Sequence, residues 1–197
     1  MIIIIVSTLI GLGIVFQIYT SMATGKSSIQ PYKVIRKVKD FEIRFYPSVT
    51  MATITSSAKT YKDLGNSGFR KLAGYIFGGN SNNTKIAMTA PVHMDINDSA
   101  STMSFVMPPE YHKENLPQPN DSGVKIETTT DEYVAAIEFG GFASSERIAK
   151  YKGLLEEALK KNNLTYFGRF RFLGYNPPFQ LFGRRNEIIV SINWDTK

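Results

Sequence analysis

From residue 32 onward the apolar positions recur mostly with a period of two. Phe41, Ile43 and Phe45 alternate with Glu42 and Arg44, which predicts a strand with one buried face. After a turn at Pro47-Ser48, the β-branched run VTMATITSS predicts a second strand. Over residues 61–77 the period changes. Phe69, Leu72, Ala73 and Ile76 stand at i, i+3, i+4 and i+7, a single apolar stripe along a helix, and Gly78-Gly79-Asn80 ends it. Strands are predicted at 84–94 and 102–107, before a proline-rich connection from Pro108 to Pro119. The second half repeats the order. VKIETTT (124–130) and YVAAIEFGG (133–141) predict two strands. Ser144 caps a helix over 145–161 that turns Ile148, Leu155 and Leu159 inward. Strands follow from Phe167 to Gly174 and through Ile188, Val190, Ile192 and Trp194.

Each half therefore reads strand–strand–helix–strand–strand. Neither half, with one helix to cover its sheet, is expected to stand alone. The predicted fold is one α+β domain over residues 32–197. It is a distorted, mostly antiparallel β-barrel of two pseudo-symmetric ββαββ repeats, with two helices packed against it.

The first residues belong to a different pattern. Residues 2–19, IIIIVSTLIGLGIVFQIY, carry no charge, and the first charged side chain is Lys26. As a helix this run measures about 27 Å, close to the hydrocarbon thickness of a bilayer. Two readings fit residues 1–22: an uncleaved transmembrane anchor, or a signal peptide cut near Ser21-Met22-Ala23 followed by export. The absence of a basic stretch before the apolar run favours the anchor. Residues 23–31 read as linker. Lys33, Arg36, Lys37 and Lys39 follow the span, which by the positive-inside tendency puts the domain on the cytoplasmic side of a single-pass membrane protein.

Composition narrows the chemistry. With Cys 0 and His 2, disulfides, zinc–thiolate sites, iron–sulfur clusters, a cysteine nucleophile and histidine-rich metal sites are all excluded. No GxSxG, P-loop, HExxH or EF-hand pattern is present, so no catalytic residues and no metal ligands are assigned and no enzyme is expected. The formal charge of +6 favours anionic partners. Lys and Arg are scattered, without a nucleic-acid-binding motif, so no nucleic acid is expected. His93 follows Pro91-Val92 in a strand, on the face opposite Val92 and Met94, and reads as a surface histidine; His112 reads as a loop residue.

Two segments are denser. One is KIAMTAPV (85–92). The other runs from Gly174 through Asn176-Pro177-Pro178-Phe179 and Leu181-Phe182 to Arg184-Arg185-Asn186-Glu187-Ile188. Two prolines fix a turn, three large apolar residues cluster in it, and two guanidinium groups follow. Such a loop suits a flat amphipathic dianion, with rings on Phe and Leu and carboxylates on Arg. It also reads as a structural turn with Arg185 paired to Glu187.

These segments resemble the SOUL family, the p22-type haem-binding proteins. The resemblance spans about residues 30–194. It rests on FEIRFYPSVTMATI, the helix ending in Gly78-Gly79-Asn80, KIAMTAPV, Phe105-Val106-Met107-Pro108, Glu138-Phe139-Gly140-Gly141-Phe142 and the terminal NPPF…GRRNEI. It implies a distorted barrel similar in layout to the GyrI-like effector-binding domains, and non-covalent binding of haem or another tetrapyrrole by a carrier, buffer or sensor. The implied site is a shallow apolar groove in which Phe69, Leu72, Ala73 and Ile76 face Phe179, Leu181 and Phe182, with Lys71 and Arg184 for the propionates. The alternative is a GyrI-like domain for a different amphipathic ligand, for which a buried acid such as Glu187 would serve as counter-charge to a cation.

Overall fold

The alternating faces of the strands serve two separate cores. The structure is a computed structural model, and it describes residues 27–97 and 99–194. In chain order the elements are β1 (Ser28–Ile29), β2 (Lys33–Lys37), β3 (Glu42–Tyr46), β4 (Thr50–Ser56), α1 (Tyr61–Ile76), β5 (Thr89–Ala90), β6 (Val92–Asp95), β7 (Ser101–Val106), β8 (Val124–Thr128), β9 (Glu132–Gly140), α2 (Ser145–Lys161), β10 (Tyr166–Gly174) and β11 (Arg185–Ile192). On one face Ile43, Ile54, Met103, Ile137, Phe172 and Val190 pack with Leu64, Leu72 and Ile76 of α1 and Leu155 and Leu159 of α2. On the other, Tyr46, Val134, Leu173, Tyr175 and Ile189 form a smaller cluster beneath Tyr32.

The nine strands β2-β3-β9-β11-β10-β6-β7-β4-β8 form one antiparallel sheet in that order. Apart from β2, the order is a palindrome. The first unit is β3, β4, α1, β6, β7, and the second is β8, β9, α2, β10, β11. In each unit the second and fourth strands pair, and the third pairs with the fourth. The first strand crosses over: β3 pairs with β9, and β8 pairs with β4. The units meet at their equivalent third strands, where Phe172, Leu173 and Gly174 oppose Met94, His93 and Val92. The predicted repeat is present, and the exchange of first strands is what makes the two halves one domain.

Three expectations need correction. The sheet is not a closed barrel, because β2 and β8 lie at its opposite ends and do not pair with one another. The strand expected over 84–94 breaks into β5 and β6 around Pro91, whose nitrogen has no hydrogen to give to a ladder. Part of the expected linker is paired: Ser28 and Ile29 lie parallel to Thr89 and Ala90, and the Gln30 N–H donates to the Ala90 carbonyl at 2.8 Å. Among the described residues no helix is long and apolar enough to cross a membrane; residues 2–19 lie outside them.

Both helices start on side-chain caps, with Thr60 accepting from the Asp63 N–H and Ser144 from the Arg147 N–H. The first ends where Gly78 takes φ +112°. At Gly79 a Cβ would lie 2.6 Å from the Gly74 carbonyl oxygen, a backbone atom that cannot swing aside. Gly79→Ala is therefore expected to destabilise the fold by about 1–3 kcal/mol, read as a lower urea midpoint with an unchanged slope.

Candidate ligand-binding site

The loop joining β10 to β11 is built inside out. Its polar side chains point inward. Gln180 is buried, takes a hydrogen bond from Asn176 Nδ2 at 3.1 Å and gives one to the Phe182 carbonyl at 2.9 Å. Arg184 Nη1 donates to the carbonyls of Pro177 and Gln180 at 2.8 and 2.7 Å, and the Arg185 N–H donates to Asn176 Oδ1 at 2.6 Å. Gly183, at φ +62°, supplies the left-handed turn. With the polar groups folded in, Phe179, Leu181 and Phe182 are 51%, 50% and 73% exposed.

A neighbouring turn continues this apolar surface. Phe142 is exposed, and the Arg184 guanidinium lies over its ring at 4.6 Å. The turn carrying Phe142 is held by Arg147, which donates to the Gly140 carbonyl, and by Asn186, which donates to the carbonyls of Phe139 and Gly141. Arg184 has no carboxylate partner among the described residues, and its Nε is buried with no hydrogen-bond acceptor. Burial pushes its pKa down, offset in part by the charge of Tyr61 at the start of α1. The result is an uncompensated cation set among aromatic and aliphatic surface.

The residues expected on the helix are placed otherwise. Leu72 and Ile76 are buried in the main core and Ala73 is buried as well, so they do not face the loop across a groove; their spacing is the packing stripe of α1. Phe69 is partly buried, edge-on to Phe105 at 5.3 Å. Lys71 is exposed, 4.0 Å from Asp121. It lies about 15 Å along the helix axis from Tyr61, the residue of α1 that senses Arg184. The structure thus keeps Phe179, Leu181, Phe182 and Arg184 together, adds Phe142, and separates them from Lys71 and the helix stripe. Phe142 lies in a segment that carries the family resemblance, but nothing local in Gly140-Gly141-Phe142, which follows a strand, ties it to the distant β10–β11 loop.

Behind the loop, on the sheet face away from the helices, lies a buried ion cluster. Glu187 is fully buried and accepts from Arg44 Nη1 at 2.8 Å, from Arg185 at 2.6 and 3.1 Å, and from the Tyr175 hydroxyl at 2.9 Å. Arg185 also donates to the Tyr32 hydroxyl at 2.9 Å, and Arg44 stacks on the Tyr32 ring at 4.3 Å. Burial alone would lower the pKa of Arg44, but the Glu187 carboxylate more than reverses this and holds it above the ordinary value. Burial, then the same carboxylate, pushes the Tyr46 hydroxyl up to about 12. The pairing of Arg185 with Glu187 expected of a structural turn is present. Glu187 is indeed a buried acid, but Arg44, Arg185 and Tyr175 already occupy both of its oxygens, so it is not a spare counter-charge for a cationic ligand.

His93 is not at the surface. The alternation is as expected, with His93 opposite Met94, but the N-terminal strand covers that face. His93 is 6% exposed, with Nε2 2.7 Å from Gln30 Oε1. Burial, and then the charge of Arg171, lowers its pKa to about 3. His112 is exposed, as expected. Among the described residues no group of three or more His, Asp or Glu side chains could hold a metal ion.

An open antiparallel sheet with two helices on one face defines an α+β domain, and its β10–β11 loop turns an apolar surface outward beside an arginine that has no carboxylate partner among the described residues. The sequence model of the SOUL heme-binding protein family matches residues 28–191, and the chain belongs to that family. It is 30% identical over 156 residues to heme-binding protein 2 of Mus musculus, covering 75% of this chain and 76% of that one. It is 27% identical over 179 residues to heme-binding protein 1 of Sus scrofa, covering 83% and 92%. Among solved structures, the C-terminal domain of EcmrR shares the fold at a TM-score of 0.60 and 9% identity, covering 83% of this chain and 99% of that one. A hydrolase from Listeria innocua does so at 0.53 and 8%, covering 81% and 94%.

Glu187→Gln removes the buried carboxylate that faces both guanidinium groups, leaving Arg44 only Glu42 at 2.8 Å and the part-buried Arg185 only Glu138 at 3.1 Å, and a loss of about 3 kcal/mol in unfolding free energy is expected, measured by chemical denaturation at neutral pH. For His93, the folded pKa lies below the unfolded value of about 6.5. The unfolded chain therefore binds the proton first. The stability tied to neutral His93 is complete above pH ~6.5 and is lost as pH falls from there toward the folded value. Between pH 7 and 5 this amounts to about 2 kcal/mol; His93→Gln should lack that part of the decline when urea midpoints are compared at the two pH values.

Proposed function

We propose that the protein binds haem or a related tetrapyrrole, without covalent attachment, on the outward face of the β10–β11 loop, as a carrier, buffer or sensor. The observation that carries this reading is the inversion of the loop. Gln180 and the Nη1 atom of Arg184 hold its interior, while Phe179, Leu181 and Phe182 are turned to solvent. Exposing such a cluster costs stability unless a ligand or partner covers it. A porphyrin presents two flat apolar faces and a pair of propionates. Phe179, Leu181, Phe182 and Phe142 suit the faces, and Arg184, with no carboxylate of its own, suits a propionate.

When bound, haem supplies iron and a flat conjugated ring. The chain supplies contact, orientation and one cation. The Nε2 atom of His93 is engaged by Gln30 beneath the N-terminal strand, so that histidine offers no ligand at the loop. The residues present fit a ring held by packing and charge. Family membership supports haem as the ligand class.

The same reading includes residues 2–19 as an uncleaved bilayer span with the domain on the cytoplasmic side. It is supported by their lack of charge and by the basic residues that follow.

Titration of the full chain with hemin and with metal-free protoporphyrin, followed by absorbance and fluorescence quenching, tests the loop site. Saturable one-to-one binding of both is expected. Phe182→Asp alters a side chain that makes little core contact, so it should keep the thermal midpoint and weaken both ligands by about tenfold or more. No saturable binding, or unchanged affinity in folded Phe182→Asp, would overturn the proposal.

A further inference from the structure

One edge strand of the sheet carries charge of a single sign. The edge strand β2, Lys33-Val34-Ile35-Arg36-Lys37, has three exposed cations and no acid, and exposed Lys39 and Asp40 follow it. The opposite edge, β8, balances Lys125 with Glu127. Edge strands commonly carry a lysine to discourage pairing with other chains, and β8 meets that need with one. On β2 only Lys37 has a carboxylate partner, Glu42 at 3.6 Å; Lys33, Arg36 and Lys39 have none among the described residues. A register shift between Val34 and Arg36 sets Lys33 and Arg36 on one face, opposite Phe45 and Ile43, and Lys37 on the other, opposite Glu42. The cations therefore straddle the rim of the sheet.

This rim also lies close to where the chain enters the domain. From Ser28 onward the chain is pinned by the β1–β5 pairing, by Gln30 on Ala90 and His93, and by Tyr32 on Arg44 and Arg185. Between the end of the apolar run at residue 19 and Ser28 the sequence is short. The chain from residue 20 to Ser28 reaches at most about 30 Å fully extended, and β2 begins five residues later.

We infer that β2 and Lys39 form a docking face for anionic lipid headgroups, which seats the domain rim-first on the bilayer. This rests on the reading of residues 2–19 as a bilayer span. Each cation at an anionic surface favours the docked state by about fivefold, so the three without partners, opposed by the one acid Asp40, favour it by on the order of thirtyfold.

The chain has Cys 0, so Val34→Cys on β2 and Glu127→Cys on β8 each give one labelling position. Each full-length variant, carrying an environment-sensitive fluorophore, is reconstituted into phosphatidylcholine vesicles doped with a headgroup-attached nitroxide quencher. The vesicles are prepared with and without one part in three of phosphatidylglycerol, and co-flotation is scored alongside. The expected result is quenching at position 34 well above that at 127, only with phosphatidylglycerol, and relieved in about 0.5 M salt. In the combined variant Lys33→Glu, Arg36→Glu, Lys39→Glu the quenching should vanish while flotation and the thermal midpoint persist. Flotation with equal quenching at the two positions, or with quenching indifferent to phosphatidylglycerol, overturns the docking face and leaves the span intact. Failure to float overturns both.

Discussion

The fully buried carboxylate of Glu187 is the point on which several parts of this structure depend. A lone charge there would be prohibitively costly, and the chain answers by bringing Arg44 from β3, Arg185 from β11 and the Tyr175 hydroxyl from the stem of the loop onto its two oxygens. Those partners are themselves engaged. Arg44 and Arg185 both reach Tyr32, so the cluster fastens the N-terminal strand to the sheet. Tyr175 and Arg185 are the two ends of the aromatic loop, so the same carboxylate fixes the base from which Phe179, Leu181 and Phe182 project. A network of this kind adds less net stability than its bond count suggests, but once made it tolerates no missing member.

Division of labour between the two sheet faces follows. The helix side is an ordinary apolar core fed by both helices, and it supplies most of the burial. The other side holds the charges, the buried histidine and the covering N-terminal strand. The proposed ligand surface sits where the sides meet, at the end of the β10–β11 hairpin and beside the starts of both helices. There a loop can be rigid at its base and apolar at its tip.

Much of the fold was legible because period alone separates strand from helix. The helix at 145–161 and the strand–strand–helix–strand–strand order emerge from spacing, and the caps at Ser144 and the stop at Gly78 follow from local chemistry. What spacing could not show is pairing. Nothing in the alternation of Phe41, Ile43 and Phe45 tells that β3 leaves its own unit to join β9, and so nothing showed that the sheet stays open. The site was half legible for the same reason. Phe179, Leu181, Phe182 and Arg184 are local to one loop and could be read together. The stripe Leu72, Ala73 and Ile76 looks identical whether it faces a ligand or a core, and here it faces the core. Arg44 and Glu187 occupy positions where alternation predicts solvent; the N-terminal segment covers that face, its Tyr32 stacked under Arg44 and bonded to Arg185 from 153 residues away in sequence.

The palindromic strand order has a consequence for origin. A chain half this length, paired about a two-fold axis, would lend its first strand to its partner and abut it through its third, producing the same sheet with no covalent link. Joining two such copies head to tail makes that association permanent. It also releases the two halves from being identical, so that one hairpin is free to grow a long aromatic loop while its counterpart, between β6 and β7, stays short.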